Sequence, residues 1–99
     1  MCNANNSTIS QLTYNTAVGY DALKGSSTPA NNTGYSNTAV GDQALFSNTT
    51  GTYNTANGVY ALNNNTTGYY NTANGFDALS SNTSGNFNTA NGYAALFSN

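Results

Sequence analysis

Asn54-Thr55-Ala56-Asn57-Gly58-Val59-Tyr60-Ala61-Leu62 is one copy of a unit that recurs along the chain. Asn-Thr-Ala begins at Asn15, Asn37, Asn54, Asn71 and Asn88, and the last three intervals (54−37, 71−54, 88−71) are each 17 residues. Every unit reads Asn-Thr-Ala-x-Gly-x-x-Ala-Leu, then a short variable piece, then Asn-Thr-Thr-Gly or a near copy. Self-similarity at a fixed period marks a solenoid, in which each repeat covers its apolar side with its neighbours. Helix is disfavoured, because Asn, Thr and Gly are poor helix formers and only a short Ala-Leu in each unit favours one. The period therefore predicts an all-β parallel solenoid (a β-roll or β-helix) with about five 17-residue coils. Each coil should hold two or three short strands joined by tight turns.

Outward from that segment, the units span residues 15–36, 37–53, 54–70, 71–87 and 88–99. Residues 1–14 match the repeat poorly and read as an N-terminal half coil or cap, since terminal repeats are atypical. The first unit is longer than the others (37−15 gives 22), with five extra residues around Gly25-Ser26-Ser27-Thr28-Pro29. That is turn chemistry, and an insertion there should bulge from one corner of one coil. The last unit stops mid-repeat, which reads as a fragment of a longer array or as a coil completed by another copy.

Stacking would turn each repeat position into a column. The Leu column (Leu23, Leu45, Leu62, Leu79, Leu96) is invariant, as are the Ala beside it and the Ala of Asn-Thr-Ala. Invariant small and branched residues suit a narrow core, so the Leu column is expected as a core ladder. Asn15, Asn37, Asn54, Asn71 and Asn88 are expected as a buried or corner amide ladder. The two positions before Ala-Leu vary freely (Tyr20-Asp21, Asp42-Gln43, Val59-Tyr60, Phe76-Asp77, Tyr93-Ala94) and suit a surface. Tyr14, Tyr53, Tyr70 and Phe87 precede Asn-Thr-Ala, except at Ser36, and form an aromatic ladder either in the core or against a partner. Two glycine columns, one at Gly19, Gly41, Gly58, Gly75 and Gly92 and one at Gly34, Gly51, Gly68 and Gly85, mark corners with positive φ or close backbone packing. One Leu, two Ala and about one aromatic make a thin core for each coil. Side-chain ladders and burial against other chains are expected to supply the rest.

Composition narrows the function. The charged residues are Asp21, Lys24, Asp42 and Asp77, and His and Trp are absent. A single cation gives no electrostatic footprint for nucleic acid or an acidic membrane. No apolar run is long enough to span a bilayer, and the N-terminus lacks a basic-then-apolar leader pattern, so a mature protein, a fragment or Sec-independent release is expected. Cys2 reads as an incidental thiol, an intermolecular bridge or a lipid attachment point. Without His or Glu, the three scattered aspartates make neither a catalytic pair nor a calcium repeat. No catalytic residue, metal ligand or cofactor is expected.

Two arrays bear on binding. Thr16, Thr38, Thr55, Thr72 and Thr89 would form a regular array, either as strand-favouring residues that stack well or as a flat ice-binding face. Such an array resembles those of insect and microbial ice-binding β-solenoids. Exposed aromatics such as Tyr20, Tyr60, Phe76 and Tyr93 suit sister chains better than sugar rings, because the thin core asks for extra burial. Asn-x-Ser/Thr sequons at Asn31, Asn48, Asn64, Asn65 and Asn82 follow from the Asn- and Thr-rich composition.

The Asn-Thr-Ala-Val-Gly of residues 15–19 and 37–41 resembles the head repeat of trimeric autotransporter adhesins. The whole unit, with its Ala-Leu and Asn-Thr-Thr-Gly, is similar to repeats of phage tail-fibre and related bacterial surface proteins. The likeness covers residues 15–99. It implies a left-handed parallel β-roll, three chains packed side by side and a role in attachment. A looser resemblance to curlin implies end-to-end stacking into extracellular fibres. The leading expectation is a non-enzymatic structural module of an extracellular fibre or adhesin, located on a virion fibre or cell surface. Its partner would be itself, as a homotrimer or an end-to-end homopolymer, with a cell-surface glycan as a further partner. Neither nucleic acid nor membrane insertion is expected. The rivals are a self-polymerising filament subunit and an ice-binding protein with a Thr array.

Overall fold

A computed structural model describes residues 13–97 of the chain. The expected cap at residues 1–14 falls outside the described residues except for Thr13 and Tyr14, and Cys2 falls outside them entirely. Among the described residues five three-residue strands, β1 (Thr16–Val18), β2 (Thr38–Val40), β3 (Thr55–Asn57), β4 (Thr72–Asn74) and β5 (Thr89–Asn91), form one parallel sheet in chain order. The register follows the repeat: Thr38 pairs with Thr55 and Thr55 with Thr72, and Ala39, Ala56 and Ala73 pair likewise. The molecule is an all-β solenoid with coils of about 17 residues.

One expectation about the coil is corrected. Two or three strands per coil were predicted, but each described coil has one. Turns form the rest. In the third coil Ala61 N–H donates to Gly58 O, Asn63 N–H to Tyr60 O and Asn65 N–H to Leu62 O, so three turns follow one another. These turns still pair between coils. Leu45 N–H donates to Ala61 O at 2.9 Å, Leu62 N–H to Ala78 O at 3.0 Å and Leu79 N–H to Ala95 O at 2.9 Å. Stacking satisfies backbone groups that consecutive turns would otherwise leave unpaired.

The turns require an unusual backbone. Among the described residues, fifteen non-glycine residues have φ between 51° and 62°, and they fall in three columns. One is the aromatic column with Ser36. The second holds Asp21, Gln43, Tyr60, Asp77 and Ala94. The third is the Leu column itself. Left-handed backbone costs an L-residue about 1–2 kcal/mol. None of the three columns contains Val, Ile or Thr, whose branched Cβ tolerates this conformation least.

The two glycine columns have different causes. In the Gly19 to Gly92 column φ lies between 124° and 143°, and in its first four members an added Cβ would sit 2.5–2.7 Å from the next coil's glycine backbone. In the Gly34 to Gly85 column φ is unremarkable. An added Cβ would instead strike the side-chain amide of a buried Asn and, in all but Gly85, the next coil's glycine carbonyl.

The core is narrow, as the columns predict. Among the described residues it holds nine Ala and four Leu: Leu23, Leu45, Leu62 and Leu79 are at most 1 % exposed. Leu96, the fifth member of the column, is 41 % exposed, because no described coil lies above it. Amides share the interior with these apolar groups: Asn37, Asn48, Asn54, Asn65 and Asn71 are fully buried. The insertion in the first coil contains a 3-10 turn, Pro29–Asn31, at a corner. Asn32 holds it by accepting from Ser26 N–H at 2.8 Å and donating to Ser26 O at 2.9 Å.

Candidate interaction surface

The alternation along each strand decides what faces outward. In β3 Ala56 is buried, whereas Thr55 is half-buried and Asn57 exposed. The same pattern in every strand places Thr16, Thr38, Thr55, Thr72 and Thr89 in one outward column. Val18, Val40, Asn57, Asn74 and Asn91 form a second. Replacing Val with Asn in that second column therefore removes nothing from the core. On this face Asn74 donates to Asn91 Oδ1 at 2.8 Å.

The expected amide ladder exists and is more connected than its spacing reveals. The side-chain oxygens of Asn15, Asn37, Asn54 and Asn71 each accept the backbone N–H of the next Asn in the column, through to Asn88, at 2.8–3.0 Å. Their Nδ2 groups donate across the coil to Gly34, Gly51, Gly68 and Gly85 carbonyls at 2.7–3.0 Å. Each amide thus ties the sheet to the opposite corner. A second amide ladder, of Asn48, Asn65 and Asn82, went unread in the sequence as a structural column. Asn65 donates to Asn48 Oδ1 and Asn82 to Asn65 Oδ1, and each of the three also donates to the glycine three residues on. The Asn-Thr-Thr-Gly spacing was its signal, because that glycine leaves room for the amide. Burial removes these three sequons from solvent, while Asn31 and Asn64 remain exposed.

The aromatic ladder lies outside the core, which rules out the core placement. Tyr53 and Tyr70 stack with centroids 4.8 Å apart and planes within 2°, and Tyr70 and Phe87 follow at 5.4 Å and 6°. All three are exposed, by 43 %, 50 % and 71 %. Ser36 interrupts the column, so Tyr14 stands apart, and Tyr35 instead meets Tyr53 edge to face at 5.4 Å. Tyr69 meets both Tyr70 and Phe87 in the same way. Tyr53 shares a hydrogen bond with Tyr35, which raises its phenol above the usual range. The proximity of Tyr35, partial desolvation and Tyr70 add to that shift. A smaller cluster joins Tyr60, Phe76 and Tyr93.

Stacking controls what this patch can recognise. Tyr70 has both ring faces covered, by Tyr53 and Phe87, which leaves its edges to meet a partner. A sugar needs an open ring face. A protein surface can meet the edges with carbonyl oxygens or with aromatic faces of its own. The surroundings are nearly uncharged: Lys24 is paired with Asp21 at 3.5 Å and lies over Phe46 at 5.5 Å. Aromatic-rich, charge-poor surface is the composition of interface cores.

Asp42 Oδ1 is buried without a hydrogen-bond partner, and among the described residues no group of three or more His, Cys, Asp or Glu could hold a metal ion. Among the described residues no helix is long and apolar enough to cross a membrane. A shallow cleft of ≈ 430 Å³ beside the insertion is lined by Ser26, Ala30, Asn31, Thr33, Thr49 and Thr50, without a titratable group. No protein-family model, curated protein or solved structure matches the chain.

Proposed function

We propose that the chain is a non-enzymatic structural module of an extracellular fibre or adhesin. In this reading the solenoid is a rigid strut that associates side by side with copies of itself. The supporting observation is the continuous, uncharged rail of Tyr35, Tyr53, Tyr69, Tyr70 and Phe87, each 39–71 % exposed on one corner of a chain whose own core is narrow. The repeat's resemblance to fibre and adhesin sequences supplies the biological setting. The test is solution mass by sedimentation equilibrium. The wild-type chain should form a discrete homotrimer, and Tyr53→Ser with Tyr70→Ser should yield folded monomers. Open-ended growth would favour the filament reading, and a wild-type monomer would sink lateral association.

A second reading has its own support. The Thr column lies in register on the outward face of all five strands. A flat, regular array of hydroxyl and methyl groups suits an ordered water lattice. Thermal hysteresis that disappears on changing Thr55 and Thr72 to Lys would support ice binding. Its absence in the wild type would remove that reading.

A further inference from the structure

Tyr53 and Tyr70 are the one tyrosine pair among the described residues whose rings lie face to face. The other close tyrosine pairs, Tyr35 with Tyr53 and Tyr69 with Tyr70, meet edge to face at 76°. Phenylalanine occupies one side of each remaining stack: Phe87 against Tyr70 and Phe76 against Tyr93. This distinction has a chemical consequence. One-electron oxidation of a phenol leaves the unpaired spin in the ring's π system, with much of it at the carbons ortho to oxygen. Those orbital lobes project from the ring faces. Two radicals couple readily when their faces oppose, and poorly when an edge meets a face.

We propose that Tyr53 and Tyr70 form an oxidative cross-linking site, in which a peroxide-driven one-electron oxidant joins them as dityrosine and so bolts the second coil to the third. The centroid separation of 4.8 Å leaves a small closing movement, and both rings are half exposed, so the oxidant can reach them. Each phenol gives up one electron and one proton, and hydrogen peroxide takes both pairs as its O–O bond breaks to give two waters. A carbon–carbon bond then forms between one ortho carbon of each ring. The two hydrogens on the joined carbons move through solvent to the oxygens, which restores both phenols. The chain ends two hydrogens lighter. Phe87 cannot form a phenoxyl radical, so coupling cannot spread along that column to the fourth coil. The proposal concerns one chain and does not depend on lateral association.

The test treats the dilute, folded chain with a haem peroxidase and hydrogen peroxide, then maps the peptides by mass spectrometry. The expected product keeps the mobility of a single chain in a denaturing gel, shows dityrosine fluorescence and links the peptides carrying Tyr53 and Tyr70. Tyr70→Phe should abolish that link; Phe87 already occupies the same column, so the ring fits there. Tyr35→Phe and Tyr69→Phe should retain it, and urea should remove the preference before oxidation begins. Links spread evenly over Tyr14, Tyr20, Tyr60 and Tyr93, links only between chains, or no tyrosine coupling at all would overturn the proposal.

Discussion

Asn54 joins its coil to the next through its side chain: its Oδ1 accepts the backbone N–H of Asn71 at 3.0 Å while its Nδ2 donates to Gly68 O at 2.8 Å. Both partners are buried, so neither can turn to water when the amide is lost. Asn54→Leu keeps a similar volume but orphans the Asn71 N–H, whereas Gly68 O keeps the bond it accepts from Asn65 Nδ2 at 3.1 Å. The expected loss is about 1–3 kcal/mol for that one stranded group. Urea unfolding measures it. A loss below 1 kcal/mol, about the low end for one stranded group, would show that the amide column does not hold the coils together.

Gly58 and Gly92 share a column and a positive φ but differ in what lies above them. A Cβ on Gly58 would meet Gly75 O at 2.5 Å, whereas one on Gly92 would meet nothing within 4 Å. Gly92→Ala should therefore carry only the backbone strain, about 1–3 kcal/mol. Gly58→Ala adds a collision with backbone that cannot swing away, and should destabilise the chain further. Equal effects would mean that the stack opens easily at this corner.

Gln43 has φ of 56° and a half-exposed side chain. Gln43→Gly relieves the left-handed strain but loosens the unfolded chain, so the expected net effect ranges from neutral to about 1 kcal/mol of stabilisation. Gln43→Val places a branched Cβ where sterics resist it most, and should destabilise by about 1–3 kcal/mol. Denaturant midpoints distinguish the two.

These positions show where the sequence was readable. Leu45, Leu62 and Leu79 are nearly invariant neighbours in a fixed period, so period alone identifies both the stack and its core. Strand content was over-read because Leu and Tyr carry no mark of a left-handed backbone. The available signal was indirect: Thr, common elsewhere, is missing from three whole columns. The Asn48, Asn65 and Asn82 ladder was hidden for a different reason. Asn in a polar, Thr-rich stretch reads as surface, and only the nearby glycine column creates the space that buries it. The aromatic column could be identified but not placed, since a ladder of rings has the same period inside or outside the core.

Tyr53 supplies a pH prediction. The hydrogen bond with Tyr35 favours the neutral phenol in the fold. Its contribution is fully present below the ordinary phenol range and is lost as pH rises through the raised folded value. Spectrophotometric titration should show one phenol ionising late, and Tyr35→Phe should return it toward the ordinary range. A profile unchanged by Tyr35→Phe would remove Tyr35 as the cause.

Every exposed column described above depends on one relationship: each coil lies on the next with equivalent residues aligned. Scalar couplings across hydrogen bonds, measured by NMR on the isotopically labelled chain, test this most directly. The structure predicts couplings from Thr38 N–H to Asn54 C=O, from Thr55 N–H to Asn71 C=O and from Thr72 N–H to Asn88 C=O. Couplings at any other offset, or from these amides to carbonyls within their own coil, would contradict the stack.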